Sequence, residues 1–179
     1  ICYWQKANRP DGKTAFDAFN VHHYMSKTVE LDGYDVRVGM SPEEADIKGI
    51  LSQLVGIRDK YYPEKEVWIT EFGWDTNQSY ATVNSSHAYG NYTGRQVQAM
   101  WLTRAYLLLS STGIDKATMY MCEDTGVEEE AVGKFGSSGV IGYEYDADGN
   151  VVEVKKDSYY YLYTLKSTLG SYTFYREIE

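Results

Sequence analysis

Apolar residues recur at helical spacing in three segments of the chain. Two of these segments open with a capping-box pattern, Ser41 with Glu44 and Thr93 with Gln96. All three stop at a proline or a glycine, as helices commonly do. The pattern therefore predicts amphipathic helices in residues 41–63, 93–113 and 157–170.

Runs of β-branched and aromatic residues between these helices predict strands. The predicted strands are residues 16–24, 67–72 and 116–122. Residues 139–157 predict a hairpin, because Asp148-Gly149 favours a tight turn, whereas residues 25–40 and 75–92 are polar and predict loops. The order strand, helix, strand, helix, strand, hairpin, helix is typical of a parallel sheet in an α/β domain.

Composition limits the classes of partner that the chain can have. The sequence has 179 residues and 43% hydrophobic content, which is enough to form one buried core. We therefore expect a single domain or part of one. The 17 basic and 26 acidic residues give a net charge of −9, which argues against nucleic-acid and anionic-membrane partners. The sequence contains no run of 18 apolar residues, so it predicts no membrane span. A neutral, polyhydroxylated ligand fits this charge better.

Metal and cofactor motifs are absent from the sequence. Cys2 and Cys122 have no metal-ligand spacing, so we expect buried thiols rather than a zinc site or a disulfide framework. The stretch "DADGN" at residues 146–150 is similar to the start of a calcium loop but lacks the later acidic ligand, and a hairpin turn is preferred. No glycine-rich phosphate loop occurs, and we expect no metal and no cofactor.

The stretch "VWITEFGWD" at residues 67–75 places a glutamate at the end of a predicted buried strand. A buried, unpaired carboxylate is costly, so Glu71 must lie at an opening or have partners. Alternation along the first predicted strand places Asn20, His22 and Tyr24 on one face. The imidazole and the phenol can hydrogen-bond the ionised carboxylate and hold it in one rotamer. A carboxylate held in this way can act as a nucleophile.

Other residues near the strand ends have two interpretations each. Trp74 is either a platform on which a sugar ring stacks or a tryptophan packed at the rim of the core. Glu123 and Asp124 either bind ligand hydroxyl groups from the third strand end or are solvated loop acids. An exposed loop is indicated by three Asn-x-Ser/Thr triplets, which begin at Asn77, Asn84 and Asn91.

The motifs "WITEFGWDT" and "FNVHHY" resemble the last part of the retaining glycoside hydrolases of clan A. In that family of (β/α)8 barrels the nucleophile glutamate ends strand seven, and an H-x-Y or similar pattern often ends strand six. The resemblance implies that Glu71 is the nucleophile and that His22-His23-Tyr24 ends strand six. Residues from about 16 to 170 would then be the α/β C-terminal portion of a TIM-type barrel. This portion would contain about strands six to eight, with helices outside and a β-hairpin before the last helix.

The resemblance also implies a mechanism and a substrate. Retaining enzymes use a nucleophile and an acid/base with carboxyl groups about 5–5.5 Å apart. The acid/base should be a Glu after Asn at the end of strand four, and no Asn-Glu pair occurs in these 179 residues. We expect hydrolysis of a β-linked oligo- or polysaccharide by an extracellular or periplasmic protein, with Glu71 as the catalytic residue. The expected substrate-binding residues are His22, Tyr24, Trp74, Asn20 and Glu123.

An incomplete barrel would need further strands. The chain begins at Ile1 without a methionine or a signal-peptide pattern, so we expect that an N-terminal part was removed or is not represented. Three or four strands cannot close an eight-stranded barrel, so the missing N-terminal half or a second copy of the chain is expected to cover the open sheet edges. Two alternatives remain, a catalytically inactive carbohydrate-binding barrel and an unrelated α/β module with structural strand-end acids.

Overall fold

A computed structural model describes residues 15–79, 84–131 and 133–178. Its centre is a three-stranded parallel sheet, in which β4 (Glu66–Glu71) lies between β1 (Ala18–His22) and β5 (Lys116–Ala117). Val67 and Ile69 of β4 are fully buried, as expected for the covered face of such a strand. The predicted α/β class with a parallel sheet is confirmed.

Three helices of the described residues pack against this sheet or against one another. α1 (Ile47–Tyr61) and α2 (Gly94–Ser110) share a core with β4, and α3 (Asp157–Leu169) packs on α2. Their apolar faces exclude water from the buried cluster Met25, Ile47, Leu51, Ile69, Phe72, Trp74, Leu102, Ala105 and Leu109. None of the helices in the described residues has the length and hydropathy of a membrane span.

The start of α2 follows the prediction, but the start of α1 does not. Thr93 and Gln96 form the reciprocal capping box that the sequence predicts for α2. Ser41 Oγ accepts the N–H of Glu44 at 3.1 Å, but only within a run of turns. Asp46 then adopts a left-handed φ of 49° and its carboxylate caps α1, so the helix begins at Ile47.

The segment predicted as a loop, residues 25–40, contains a hairpin. β2 (Ser26–Leu31) pairs antiparallel with β3 (Tyr34–Gly39). Asp32 and Gly33 connect the strands with φ values of 51° and 81°, which is the left-handed pair that a two-residue hairpin turn requires. The Asp-Gly dipeptide between two runs containing valines was the sequence signal for this turn.

A second three-stranded sheet contains β6 (Glu123–Val127), β7 (Ile141–Tyr145) and β8 (Val151–Lys155). The predicted hairpin is confirmed by the antiparallel pairing of β7 with β8. Its turn is closed by Asp146, whose Oδ1 accepts the N–H groups of Asp148 and Asn150 at 2.9 and 2.8 Å. β6 pairs parallel to β7, and this strand was not predicted.

The third predicted strand, residues 116–122, is shorter than expected. Only β5 has regular strand pairing, although the N–H of Tyr120 still donates to the carbonyl of Phe72 at 2.8 Å. Gly73 permits this close approach, because a Cβ there would collide with the Tyr120 carbonyl oxygen. The glycine after the Glu71 strand is therefore explained by packing.

Two expectations about exposure are wrong. Cys122 is an exposed free thiol rather than a buried one, whereas Cys2 lies outside the described residues. The loop that contains the Asn-x-Ser/Thr triplets is buried at Asn77 and Asn84, and only Asn91 is exposed. The two buried amides donate to backbone carbonyl groups, which compensates for their removal from water.

Candidate functional site

Glu71 lies at the carboxyl end of β4, and the end of β1 supplies its partners. The Tyr24 hydroxyl donates to Glu71 Oε2 at 2.8 Å, and His22 Nδ1 lies 3.2 Å from the same oxygen. The N–H of His23 donates to the Glu71 carbonyl at 2.9 Å, which ties the two strand ends together. The structure thus brings together Glu71, His22 and Tyr24, as the alternation of the sequence predicts.

A register shift in the sheet places His22 beside Glu71. Val21 pairs with Ile69, but the next residue, His22, pairs with Glu71, so Thr70 is an extra residue on β4. Such an irregularity redirects a side chain at the end of a strand. Without it, strand alternation would place the Glu71 side chain on the face opposite to that of Thr70.

Asn20 lies near this group but does not contact the carboxylate. Its Oδ1 accepts the hydroxyl of Thr70 at 2.7 Å, and the residue is exposed. Asn20 therefore holds Thr70 on the face from which the His22 and Tyr24 side chains reach Glu71. Because Asn20 is exposed, its side-chain amide nitrogen is accessible to a polar ligand.

The Glu71 carboxylate is accessible to a ligand. Its side chain is 29% exposed and that of His22 is 48% exposed. Both partners contact Oε2, and within the described residues no hydrogen-bond donor contacts Oε1. One oxygen is therefore held in place while the other can attack an electrophilic carbon.

Tyr24 is a donor over the whole physiological pH range. Burial, then the hydrogen bond to Glu71 and the charge of that carboxylate, raise the pKa of Tyr24 far above its usual value of 10.0. The phenol therefore keeps its proton throughout this range and can donate it in a hydrogen bond to Glu71.

Trp74 is packed in the core and is not a platform on which a sugar could stack. It is fully buried, its Nε1 donates to the Met40 carbonyl at 2.9 Å, and its ring lies edge-on to Trp101 at a centroid distance of 5.5 Å. A sugar stacks on an exposed ring face. The expected role of Trp74 in substrate binding is therefore corrected to a structural one.

Glu123 and Asp124 lie in β6 rather than in a loop after the third strand. Glu123 is exposed and accepts the Tyr143 hydroxyl, and no contact among the described residues joins it to Glu71. Asp124 is buried and not a solvated acid, since its Oδ2 lies 2.9 Å from Lys156 Nζ. The structure thus places neither acid in the group around Glu71.

Two residues that the sequence analysis did not select lie against the site. The ring of Phe135 stacks on Tyr24 with centroids 4.3 Å apart. Asp75 is fully buried and accepts the N–H groups of Phe135 and Ser137, both at 3.0 Å. The sequence contained a signal for each residue. Asp75 is an acid four positions after Glu71, and Phe135 is a single aromatic residue in a glycine- and serine-rich loop.

No group of three or more His, Cys, Asp or Glu side chains in the described parts of the chain is arranged to hold a metal ion. An apolar groove of about 530 Å³ lies between α2, α3 and residues 172–174. None of the residues around Glu71 lines this groove. The candidate site is therefore defined by its polar side chains rather than by a large cavity.

No protein-family model and no curated protein sequence matches the chain significantly. Among solved structures, the chain is similar to a family 39 glycoside hydrolase from the gut symbiont Bacteroides cellulosilyticus WH2. The match has 21% sequence identity and a TM-score of 0.60, and it covers 98% of this chain but 31% of that chain. An aphid myrosinase matches with 13% identity and a TM-score of 0.49, over 89% of this chain and 37% of that one. The chain thus spans about a third of these structures, and its fold matches part of the TIM-barrel glycosidase from the gut symbiont.

Proposed function

We propose that this chain supplies the nucleophile half of a retaining glycosidase that acts on a β-linked oligo- or polysaccharide. The observation that carries the proposal is the Glu71 carboxylate, at the carboxyl end of a parallel strand, held through one oxygen by Tyr24 and His22. Working residues of (β/α)8 barrels lie at this end of their strands. The fold match to part of a glycosidase supports the same assignment.

In the proposed reaction, Glu71 Oε1 forms a bond to the anomeric carbon of the sugar. The glycosidic C–O bond breaks and its electron pair goes to the leaving oxygen, which takes a proton from a second carboxylic acid. Water then attacks the anomeric carbon of the glycosyl ester and gives a proton to the same second group. The bond from that carbon to Glu71 breaks, and Glu71 leaves as a carboxylate. The Tyr24 hydroxyl and His22 orient the carboxylate for the first step.

The second carboxyl group is proposed to come from outside the described sheet. These 179 residues contain no Asn-Glu pair, and the chain spans 31% of its structural neighbour. The partner that completes the site is then the rest of the barrel, which also covers the free edges of the sheet. An extracellular or periplasmic location accords with a polymeric substrate.

The test uses inactivators whose leaving group needs no proton. The complete protein, which includes the rest of the barrel, is incubated with 2-deoxy-2-fluoro β-glycosyl fluorides of several sugars, and its peptides are analysed by mass spectrometry. Wild type is expected to gain one fluoroglycosyl group on Glu71, and Glu71→Gln to gain none. A label on another residue, or undiminished hydrolysis of aryl β-glycosides by Glu71→Gln, would refute the assignment.

Carbohydrate binding without turnover is the second candidate, for the case in which no second carboxyl group faces Glu71 in the complete protein. It predicts that wild type takes no label but still binds oligosaccharides in calorimetry. It also predicts that Glu71→Gln, which keeps the shape of the side chain, leaves this affinity unchanged. Loss of stability without any effect on binding would instead indicate a structural carboxylate.

A further inference from the structure

Phe135 belongs to a loop that contacts Tyr24, the residue that donates a hydrogen bond to Glu71. Its ring lies almost parallel to that of Tyr24, with an interplanar angle of 27° and a centroid distance of 4.3 Å. Its edge contacts Tyr120, with centroids 5.6 Å apart and an interplanar angle of 73°. Tyr24 is therefore confined on one face by a ring from a distant part of the chain.

The backbone at Phe135 has a conformation that bulky residues rarely adopt. Its φ is 67°, in the left-handed region that favours glycine. A residue stays in this region only when its surroundings hold it there, and such residues concentrate at functional sites. Here Asp75 Oδ2 accepts the Phe135 N–H at 3.0 Å, and Asp75 is itself fully buried.

A second buried charge holds the same loop two residues further on. Ser137 donates its N–H to Asp75 Oδ1 at 3.0 Å, and its carbonyl accepts from Lys156 Nζ at 2.8 Å. Lys156 is almost fully buried and is paired with Asp124. The Phe135 loop is therefore fixed from both sides by charged groups that do not touch Glu71.

We propose that Phe135 is a positioning residue for the nucleophile, acting through Tyr24. The ring keeps the phenol in the orientation from which its hydroxyl reaches Glu71 Oε2, and Asp75 keeps the ring in place. This inference rests on the proposed glycosidase function for its catalytic consequence, but its structural part is independent of that function.

The experiment compares rates of Glu71 labelling by a 2-deoxy-2-fluoro β-glycosyl fluoride. Phe135→Leu, which removes the stacked ring, is expected to slow labelling about threefold to tenfold, the range that an aromatic pair contributes. Phe135→Tyr, which keeps the ring, is expected to restore the wild-type rate. Phe19→Leu is the matched control, because Phe19 lies in another aromatic cluster, with Phe16 and Tyr62, and should leave the rate unchanged.

A double-mutant cycle separates positioning from general destabilisation. If Phe135 acts through Tyr24, adding Phe135→Leu to Tyr24→Phe has no further effect on the labelling rate. An equal loss in both backgrounds would overturn the proposal, as would an unchanged rate in Phe135→Leu alone.

Crystal structures of wild type and Phe135→Leu test the inference without any sugar chemistry. In the variant, the distance from the Tyr24 hydroxyl to Glu71 Oε2 is expected to lengthen from its wild-type value of 2.8 Å, in keeping with a weakened hydrogen bond. A retained bond at the wild-type length would overturn the positioning role. Failure of wild type to take the label would instead refute the glycosidase proposal, while this structural comparison still decides the role of Phe135.

Discussion

The Tyr24 hydroxyl donates a hydrogen bond of 2.8 Å to Glu71 Oε2. A hydrogen bond to a charged group contributes about 1.5–3 kcal/mol. Tyr24→Phe removes the donor and keeps the ring that stacks on Phe135. We therefore expect Tyr24→Phe to slow Glu71 labelling roughly 10- to 100-fold, and thermal stability is measured beside the labelling rate because the lost hydrogen bond also lowers it.

Tyr145→Phe is the matched control for this prediction. Tyr145 also donates to a carboxylate, Glu130 Oε1 at 2.8 Å, but on the exposed surface of the hairpin. It should leave the labelling rate unchanged. The role of Tyr24 would be wrong if both variants reacted at the wild-type rate.

We expect acidification to lower the stability of the protein, because burial favours the neutral form of His23. Burial lowers its pKa below the usual 6.5, and its Nε2 is buried with no hydrogen-bond partner among the described residues. Below pH 6.5 the unfolded chain therefore binds more protons than the folded one, so the free energy of unfolding falls as pH decreases through this value.

Urea denaturation at about pH 7.5 and about pH 5.5 measures this effect. His23→Gln is expected to reduce the loss of stability between the two pH values. His87, whose pKa is also lowered by burial, should account for a further part, so the double variant should have the flattest profile. Identical profiles for wild type and His23→Gln would contradict the prediction.

At the level of elements, a buried ion pair joins the start of α3 to β6. Lys156 Nζ donates to Asp124, to Thr76 Oγ1 at 2.9 Å and to the Ser137 carbonyl at 2.8 Å. Burial lowers the pKa of Lys156 and raises that of Asp124, whereas the attraction between the charges opposes both shifts. Each charged side chain therefore offsets part of the cost of burying the other.

Lys156→Met is expected to lower the free energy of unfolding by about 3–5 kcal/mol, because it leaves Asp124 buried without a counter-charge. Lys155→Met changes the neighbouring exposed lysine and should cost less than about 0.5 kcal/mol. The double variant Lys156→Met/Asp124→Leu should be less destabilised than the sum of its single variants. Additive losses in denaturant titrations would refute the coupling.

Elements with local signals were predictable, whereas those that depend on distant contacts were not. The Thr93 capping box and the Asp148-Gly149 turn act within a few residues, and both regions formed the predicted elements. The same kind of turn at Asp32-Gly33 was missed, although its signal was equally local. The register shift at Val21 and His22 arises only when two strands pair, so one strand alone cannot predict it.

The residues of the candidate site also fall into those that the sequence predicts and those that depend on distant contacts. Strand alternation placed His22 and Tyr24 on one face, but their contact with Glu71 also depends on the register shift between β1 and β4. Phe135 reaches Tyr24 from more than a hundred residues away in sequence, so no periodic pattern could connect them. Trp74, which follows β4, is buried against Trp101 of α2, a contact that the local sequence cannot predict.

At the scale of the whole molecule, the central sheet has two open edges. β1 and β5 each pair with β4 on one side only in the part of the chain that the structure describes. Closing a barrel of this type requires eight strands. Unpaired N–H and C=O groups on such edges favour association with another chain.

Light scattering during gel filtration tests this expectation. The chain alone, of 20.4 kDa, is expected to elute as dimers or larger species. Adding a separately produced preceding portion of the barrel should shift it to a defined heterocomplex. A stable monomer over a wide concentration range, with no binding of that portion, would contradict the incomplete-barrel proposal.

The hairpin turn at residues 146–150 is closed by the Asp146 carboxylate and by backbone hydrogen bonds of Asp146 with Gly149 and Asn150, and it lies at the end of the β7–β8 ladder opposite Lys156. Its ends are held by the strand ladder rather than by the tip itself. The tip can therefore accept inserted sequence, such as an affinity peptide or a fluorescent reporter, for immobilising the protein with Glu71 still open to solvent.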